Sequence, residues 1–398
     1  VGGGTLSAGL LANTGTASSI GTNATIVFTN TGGEILYTGG STTINRTVNL
    51  AGVGWFNVST AATALTLSGV ISNTGTLVKG GAGTLVVSAN NSGTWTTRID
   101  AGTLRVGTGG TSGSLGTGAI TNNADLVFNR SDSYTISNVI SGSGDLTKLG
   151  GGTLILSASN SYSGSTFAEA EAIRLANSFA LGSEAGGTIV VASGGALELA
   201  GNITVGSEPL ALSGTGLSSG GALRNISGTN SFGGLLSLGS DARVNSDAGL
   251  LTLANGGNIT GSGYTLRVGG AGPTRLNGIL GTGTGGLVKD GAGSLILAGN
   301  NTYTGTTAVN AGTLQIGAGG AGGNISSNSA VTLATNTTLA FRTGSTTRSF
   351  AAAVGGNGAV VMDSPGGIVN ILRTNTYTGG TTVIAGELHA FTTQSFGT

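Results

Sequence analysis

A motif that recurs along the chain constrains its fold more than any other feature of the sequence. The clearest copy is the segment 283–317, which reads GTGGLVKDGAGSLILAGNNTYTGTTAVNAGTLQIG. Similar segments begin at Leu77 and Leu146, and a weaker one begins at Val360. Because a period in the sequence becomes a period in the structure, the chain is predicted to repeat one structural unit.

The copies follow one another about every 70 residues. Leu85 and Leu154 occupy matching positions 69 residues apart, and Leu295 follows after another 141 residues. A copy is therefore expected between the last two, and the segment NSFGG around Phe232 occupies that place.

The repeats are assigned to a single predicted domain, residues 1–398, whose residues 1–64 are interpreted as divergent N-terminal coils. The clear repeats within it are 65–107, 138–176, 218–254, 279–317 and 353–391.

The amino-acid composition excludes several classes of protein. Glycine accounts for 79 of the 398 residues and charged residues for only 8%, against about 7% and about 25% in an ordinary globular chain. Disorder is not indicated, because hydrophobic residues still make up 38% and recur periodically. The formal net charge of zero gives no general attraction to nucleic acid or to an anionic membrane surface, so neither is expected as a partner.

The sequence contains no Cys and no run of about 20 apolar residues, so neither disulfides nor a membrane-spanning helix is expected. The chain begins at Val1 without a basic leader. A signal peptide is therefore expected to have been removed or left out.

Apolar and polar residues alternate within each unit over three to five residues, as in TLQI and TAV. Alternation at period two predicts short strands with one face inward. Gly and Asn between them supply the turns. The one segment that could be helical, 167–173, aligns with strand and turn positions of the other copies and is interpreted as a degenerate repeat.

Short strands whose units cannot each bury a core predict a solenoid, in which neighbouring coils complete one another. With roughly 20 to 24 residues per coil, each repeat makes about three coils and the chain about 17 to 20. The interior is predicted to be a column of Leu, Ile, Val and Ala.

The string LVKDGAGSLILAGNNTYTGTTAVNAGTLQIG resembles the passenger-associated transport repeat of bacterial autotransporters, the type V secretion family. The first three full copies match its GxLxKxGxGTL and AGTL segments. The match weakens at Ile173, around Phe232 and at Met362, which stands in the Lys position. The resemblance covers about residues 65 to 391.

This resemblance implies a right-handed parallel β-helix that is exported unfolded and folds at the bacterial cell surface or beyond it. The translocating β-barrel of the family is expected to be absent, because nothing after Phe391 could supply its strands. The chain is thus expected to be a passenger or a fragment of one.

All three lysines of the chain, Lys79, Lys148 and Lys289, fall at the same position of the repeat. They could form a line of positive charge along one edge of the solenoid, available to an acidic surface or a glycan. Alternatively, each lysine extends over apolar neighbours at a strand end and discourages lateral aggregation.

Aromatic residues share a second position of the repeat, with Trp95 displaced by two residues. If the repeat is a whole number of coils, these rings lie along one face and could stack on sugars; alternatively, each ring packs over a turn with its hydroxyl in water. The four residues are Tyr162, Phe232, Tyr303 and Tyr377.

Catalytic residues are not predicted. His389 is the only histidine, and its repeat position is held by Arg105 and Gln315, which are expected to face solvent. A Ser-His-Asp relay therefore has one possible centre at most. A polysaccharide-active enzyme would need clustered carboxylates, and the closest pair in sequence is Glu169 and Glu171.

Two glycine-rich patterns are not interpreted as cofactor or metal sites. The segment 281–286 fits a dinucleotide fingerprint but leads into a strand instead of a helix. The calcium-binding nonapeptide pattern occurs once, at 142–145, without its repeats. No cofactor and no bound metal are expected.

The leading hypothesis is a non-enzymatic adhesin or stalk at the bacterial surface, whose partners are host or matrix molecules, glycans or a second copy. The alternative is a structural subunit of an extracellular filament or sheath. A polysaccharide-active enzyme is the third hypothesis.

Overall fold

The computed structural model describes residues 1–184, 186–190 and 194–398, without the side chains of residues 188–190. The chain divides into two compact units, Val1–Thr188 and Ile189–Thr398. Each unit is a stack of short parallel strands, so the all-β parallel solenoid predicted from the sequence is confirmed. A single domain over residues 1–398 stays a prediction.

The strands of the first unit are β1 (Thr5–Ala8), β2 (Thr25–Phe28), β3 (Gly33–Tyr37), β4 (Thr42–Ile44), β5 (Thr47–Leu50), β6 (Val53–Val58), β7 (Ala64–Leu67), β8 (Ile71–Ser72), β9 (Thr76–Gly80), β10 (Thr84–Val87), β11 (Thr96–Ile99), β12 (Thr103–Val106), β13 (Ile120–Asn122), β14 (Asp125–Asn129), β15 (Tyr134–Ile136), β16 (Ile140–Ser141), β17 (Asp145–Leu149), β18 (Leu154–Leu156), β19 (Thr166–Ala168) and β20 (Ala172–Leu175). β21 (Thr188–Val190) contains the last residue of this unit.

The strands of the second unit are β22 (Ala196–Ala200), β23 (Thr204–Val205), β24 (Leu210–Gly214), β25 (Leu223–Ser227), β26 (Asn230–Phe232), β27 (Leu236–Ser246), β28 (Leu251–Leu253), β29 (Asn258–Ile259), β30 (Leu266–Gly269), β31 (Thr274–Leu276), β32 (Ile279–Leu280), β33 (Leu287–Lys289), β34 (Ser294–Leu297), β35 (Thr307–Val309), β36 (Thr313–Ile316), β37 (Val331–Leu333), β38 (Thr338–Phe341), β39 (Thr347–Phe350), β40 (Val354–Gly356), β41 (Ala359–Ile371), β42 (Thr376–Tyr377) and β43 (Thr381–Ala390).

Helical structure in the described part of the chain is limited to the 3₁₀ turn Leu217–Ser219. No helix there has the length and apolar character needed to cross a membrane. The segment 167–173 lies partly in β19 and β20, which confirms its interpretation as a degenerate repeat.

Two main sheets organise each unit. In the first unit, sheet 1A consists of β1, β3, β6, β9, β11, β13 and β16, and sheet 1B of β4, β7, β10, β12, β14, β17 and β19. In the second unit, sheet 2A runs from β23 through β26, β28, β31, β34, β36 and β38 to β41, and sheet 2B from β22 through β25, β27, β30, β33, β35, β37 and β40 to β42.

Aligned leucines form the core, as predicted. In sheet 1B the residues Leu65, Leu85, Leu104, Leu126 and Leu146 are direct neighbours in successive strands and are fully buried. Each buried leucine contributes about 1.5–3 kcal/mol. The steps between them are 19 to 22 residues, close to the predicted coil length, and the described residues make about 17 turns.

The length of one sequence repeat does not correspond to a whole number of turns. In sheet 1A, Lys79 aligns with Ile99 and then with Asn122, and the third turn returns through β16. The next lysine, Lys148, lies in sheet 1B instead. A copy therefore spans three turns of the solenoid and then continues from one sheet to the next. Equivalent residues of successive copies consequently lie on different sheets.

The same offset occurs in the second unit. Lys289 aligns in sheet 2B with Val309, Leu333 and Gly356 over three turns. Met362, its equivalent in the next copy, lies in sheet 2A.

Candidate functional site

The three lysines are buried in the turns and do not form the surface line considered in the sequence. Lys79, Lys148 and Lys289 are at most 2% exposed. Their stems lie in the inward columns, where Lys79 stands between Phe56 and Ile99. The prediction of a contact surface at these positions is wrong, because the side chains point into the solenoid.

Each ammonium group donates to backbone carbonyls of the loop that directly follows it, and those of Lys79 and Lys289 also donate to a carbonyl one coil later. Lys79 Nζ donates to the oxygens of Gly80, Gly81 and Ala101 at 2.7–2.9 Å. Lys289 Nζ makes the equivalent contacts at 2.7–3.1 Å. Burial lowers the pKa of all three lysines to about 8. These residues bind the turn carbonyls from inside the solenoid and are not available to a partner.

The aromatic position of the repeat is also internal. Tyr162, Phe232, Tyr303 and Tyr377 are at most 2% exposed, so stacking on an external sugar is excluded for these rings. They do not share one face either, because Phe232 lies in sheet 2A and Tyr377 in sheet 2B.

The tyrosine hydroxyls are satisfied inside the solenoid and are not solvated. Each is within hydrogen-bond distance of a threonine four residues later: Tyr162 with Thr166 at 2.7 Å, Tyr303 with Thr307 at 2.6 Å, and Tyr377 with Thr381 at 2.5 Å. Burial raises the pKa of Tyr303 to about 12.

The phenylalanine copy confirms the pairing between the ring and the fourth residue after it. Phe232 has no hydroxyl, and Leu236 stands in the position of the threonine. Both side chains are buried. The polar pair is therefore replaced as a unit by an apolar pair.

An asparagine two residues before each of these rings has a role that the sequence pattern did not reveal. The Oδ1 atom of Asn160 accepts from Ile140 N–H one turn before, at 2.9 Å, and its Nδ2 donates to Ala180 O one turn later, at 2.7 Å. Asn301 likewise joins Leu280 to Asn324. The recurring Asn-x-aromatic spacing was the available signal, and at Asn160, Asn301 and Asn375 it marks a hydrogen-bonded link across three turns.

The residues considered for catalysis belong to different units, with Glu169 and Glu171 in the first and His389 in the second. His389 is exposed, as predicted, and its Nε2 is 2.7 Å from Glu387 Oε2. Glu171 has a φ of 55°, where the first copy has Gly102 with φ 63°. Its charge raises the pKa of Lys148 against the larger effect of burial. Glu171 is therefore part of a turn.

The structure assembles a cluster of charges from residues that are far apart in the sequence. It crosses five neighbouring strands of sheet 2B, namely β22, β25, β27, β30 and β33. We call it the charged network; its members are Glu198, Arg224, Asp247, Asn245, Arg243, Asp290 and Arg267.

Arginine–carboxylate pairs form most of this network. Arg224 contacts Asp247 at 2.6 Å and Glu198 at 3.3 Å. Arg243 donates to both carboxylate oxygens of Asp290, at 2.8 and 2.7 Å, although Asp290 lies two turns later. Each carboxylate thus accepts from an arginine, whereas a glycosidase pair needs carboxyl groups placed to face the scissile bond.

Gly269 makes the two-turn contact possible. It occupies the strand between Arg243 and Asp290, and a Cβ atom there would overlap with Arg243 Nη2 and Asp290 Oδ1. Glycine at this position therefore allows the side chains of Arg243 and Asp290 to approach each other closely.

Comparison with known proteins supports the interpretation of the repeats. The family described as passenger-associated-transport-repeat matches residues 77–106, 146–170, 287–316 and 371–390. These segments lie within four of the five assigned repeats, and the copy around Phe232 is not among them.

One relative is an adhesin. Over 166 residues, which are 40% of this chain, the sequence is 40% identical to the protein named Adhesin BmaC autotransporter from Brucella suis biovar 1 (strain 1330). The match spans 5% of the length of that protein. No solved structure matches the chain.

Proposed function

We propose that this chain, whose repeats are those of an autotransporter passenger domain, acts as a non-enzymatic adhesive segment at the bacterial surface or in the extracellular space. The observation that carries the proposal is the 40% identity to an autotransporter adhesin. The solenoid adds a physical basis, because repeated turns hold outward side chains on a rigid frame.

The contacts of the histidine and of the clustered carboxylates favour binding over turnover. His389 and Glu387 form an exposed pair, and the charged network joins its carboxylates to arginines. An enzyme hypothesis predicts turnover of a polysaccharide that Glu169→Gln, Glu171→Gln or His389→Ala abolishes.

Adhesion can be tested with latex beads coated with the purified chain. Coated beads are expected to attach to cultured mammalian cells or to extracellular matrix more often than albumin-coated beads, and soluble chain should compete. Equal attachment of both kinds of bead, at equal protein density, would contradict the proposal.

The filament alternative gives a different result in solution. A filament subunit is expected to assemble as its concentration rises, and a chain that stays monomeric at high concentration would contradict the filament role and favour the adhesive one. Sedimentation velocity over a hundredfold concentration range separates the two.

A further inference from the structure

A groove on the outward side of sheet 1A has features of a ligand site. Its volume is about 390 Å³, within the range of about 300–1,000 Å³ that small-molecule sites occupy. It lies at the beginnings of β1, β3 and β6. The lining residues are Gly3, Gly4, Thr5, Thr31, Gly32, Gly33, Glu34, Val53 and Trp55.

The groove has an apolar wall and a polar wall. Val53 and Trp55 come from β6, whereas Thr5 and Glu34 come from the two preceding strands of the sheet. Gly3, Gly4, Gly32 and Gly33 also line the groove, so no side chain at these four positions blocks it. This combination suits a molecule with C–H faces and many hydroxyl groups.

Glu34 is held in place as a hydrogen-bond acceptor. Thr5 Oγ1 donates to Glu34 Oε2 at 2.7 Å, and Asn57 Nδ2 donates to Glu34 Oε1 at 2.8 Å. A carboxylate offers about four acceptor sites, so each oxygen retains a lone pair for a ligand hydroxyl.

Trp55 is fixed from the side opposite Glu34. The guanidinium of Arg98 lies 4.9 Å from the centre of its ring, and Arg98 is itself paired with Asp100 at 2.9 Å. Val78, between Trp55 and Arg98 in the register, is fully buried. A rotamer fixed in this way loses little entropy on binding.

We propose that this groove binds a neutral glycan segment, with Val53 and Trp55 contacting the sugar C–H groups and Glu34 accepting from its hydroxyls. The inference rests on the proposed adhesive function and names the ligand class for it. The negative charge of Glu34, together with the neutral Arg98–Asp100 pair, disfavours an acidic sugar.

The test uses Trp55 as its own reporter. The chain has two tryptophans, and the other, Trp95, is fully buried, so Trp95→Phe leaves one partly exposed indole. Cellotriose, maltotriose or N-acetylchitotriose, at up to about 20 mM, a range that detects millimolar dissociation constants, is expected to protect this indole from acrylamide quenching. Trigalacturonic acid is expected to protect it less.

Variants then locate the site by calorimetry. Trp55→Ala is expected to weaken binding about tenfold and Glu34→Gln about threefold, the size of losing an aromatic contact and one hydrogen bond. The matched controls, Phe179→Ala and Glu387→Gln, change exposed residues outside the groove and should leave affinity unchanged. Thermal melts check that each variant folds.

Two results would overturn the site: no protection by any neutral trisaccharide, or equal affinity of Trp55→Ala, Glu34→Gln and the parent chain. Bead attachment separates this result from the proposed function. Attachment without sugar binding removes the groove alone, whereas sugar binding without attachment removes the adhesive role alone.

Discussion

The three buried lysines and the charged network differ in where they place charge: the lysines lie inside the solenoid, and the network lies on the outward side of a sheet. Lys79 and Lys289 are buried, recur at one repeat position and bond to carbonyls in the same pattern. The charged network occurs once in the described residues, lies on the outward side of sheet 2B and pairs each arginine with a carboxylate. Residues that recur in the sequence thus mark the interior, whereas surface chemistry comes from residues outside the repeat pattern.

The largest expected effect of this contrast is a dependence of stability on pH. The lysine pKa values of about 8 lie below the 10.5 of a free side chain. Between these values the folded chain binds fewer protons than the unfolded chain, so the free energy of unfolding rises with pH. Urea denaturation is expected to show a gain on the order of a few kcal/mol from pH 7.5 to pH 9.5.

The chain itself provides the control for this prediction. Met362 occupies the lysine position in the last copy and is fully buried, so methionine fits the turn. Lys289→Met should remove about a third of the pH-dependent gain, since it removes one of three equivalent groups. An unchanged pH profile in the triple Lys→Met variant would show that the lysines do not cause it.

The second effect concerns the asparagine link. Asn301→Ala removes bonds to Leu280 N–H, Gly299 O and Asn324 O and leaves buried groups unpaired. A loss of about 3 kcal/mol in the free energy of unfolding is expected. Asn300→Ala, an exposed neighbour, is the matched control, and equal losses in both variants would mean that the link does not stabilise the stack.

A smaller effect is expected at the charged network. Gly269→Ala places a Cβ between Arg243 and Asp290 and should cost about 1–2 kcal/mol, because the pair is partly exposed. The loss should shrink in 1 M NaCl, which screens such pairs. Gly256→Ala, where an added Cβ meets no atom within 4 Å, should be close to neutral; a cost as large as that of Gly269→Ala would contradict this account.

The strands and their packing could be predicted because alternation and turn residues are local properties. Leu85 and Leu104, which the repeat places in strands, are direct neighbours in the leucine column. The coil length was taken from the general range of solenoid repeats, and it agrees with the observed steps. These features need no knowledge of how far each turn rotates the chain.

The positions of the candidate site residues on the solenoid could not be predicted from the sequence, for a geometric reason. Whether Lys79 and Lys148 share a face depends on turn lengths that vary by a few residues, and the accumulated difference is one face per repeat. The same uncertainty hid the charged network, because Glu198 and Asp290 are far apart in sequence and belong to one network only through the register of five strands.

Amine labelling of the folded chain shows directly whether the recurring positions point inward. The chain has three lysines, all at most 2% exposed. Reaction with an N-hydroxysuccinimide ester at pH 7.5, followed by peptide mass spectrometry, should leave these lysines unmodified in the folded chain and modify all three in urea. Rapid labelling of any of them in the folded chain would contradict the claim.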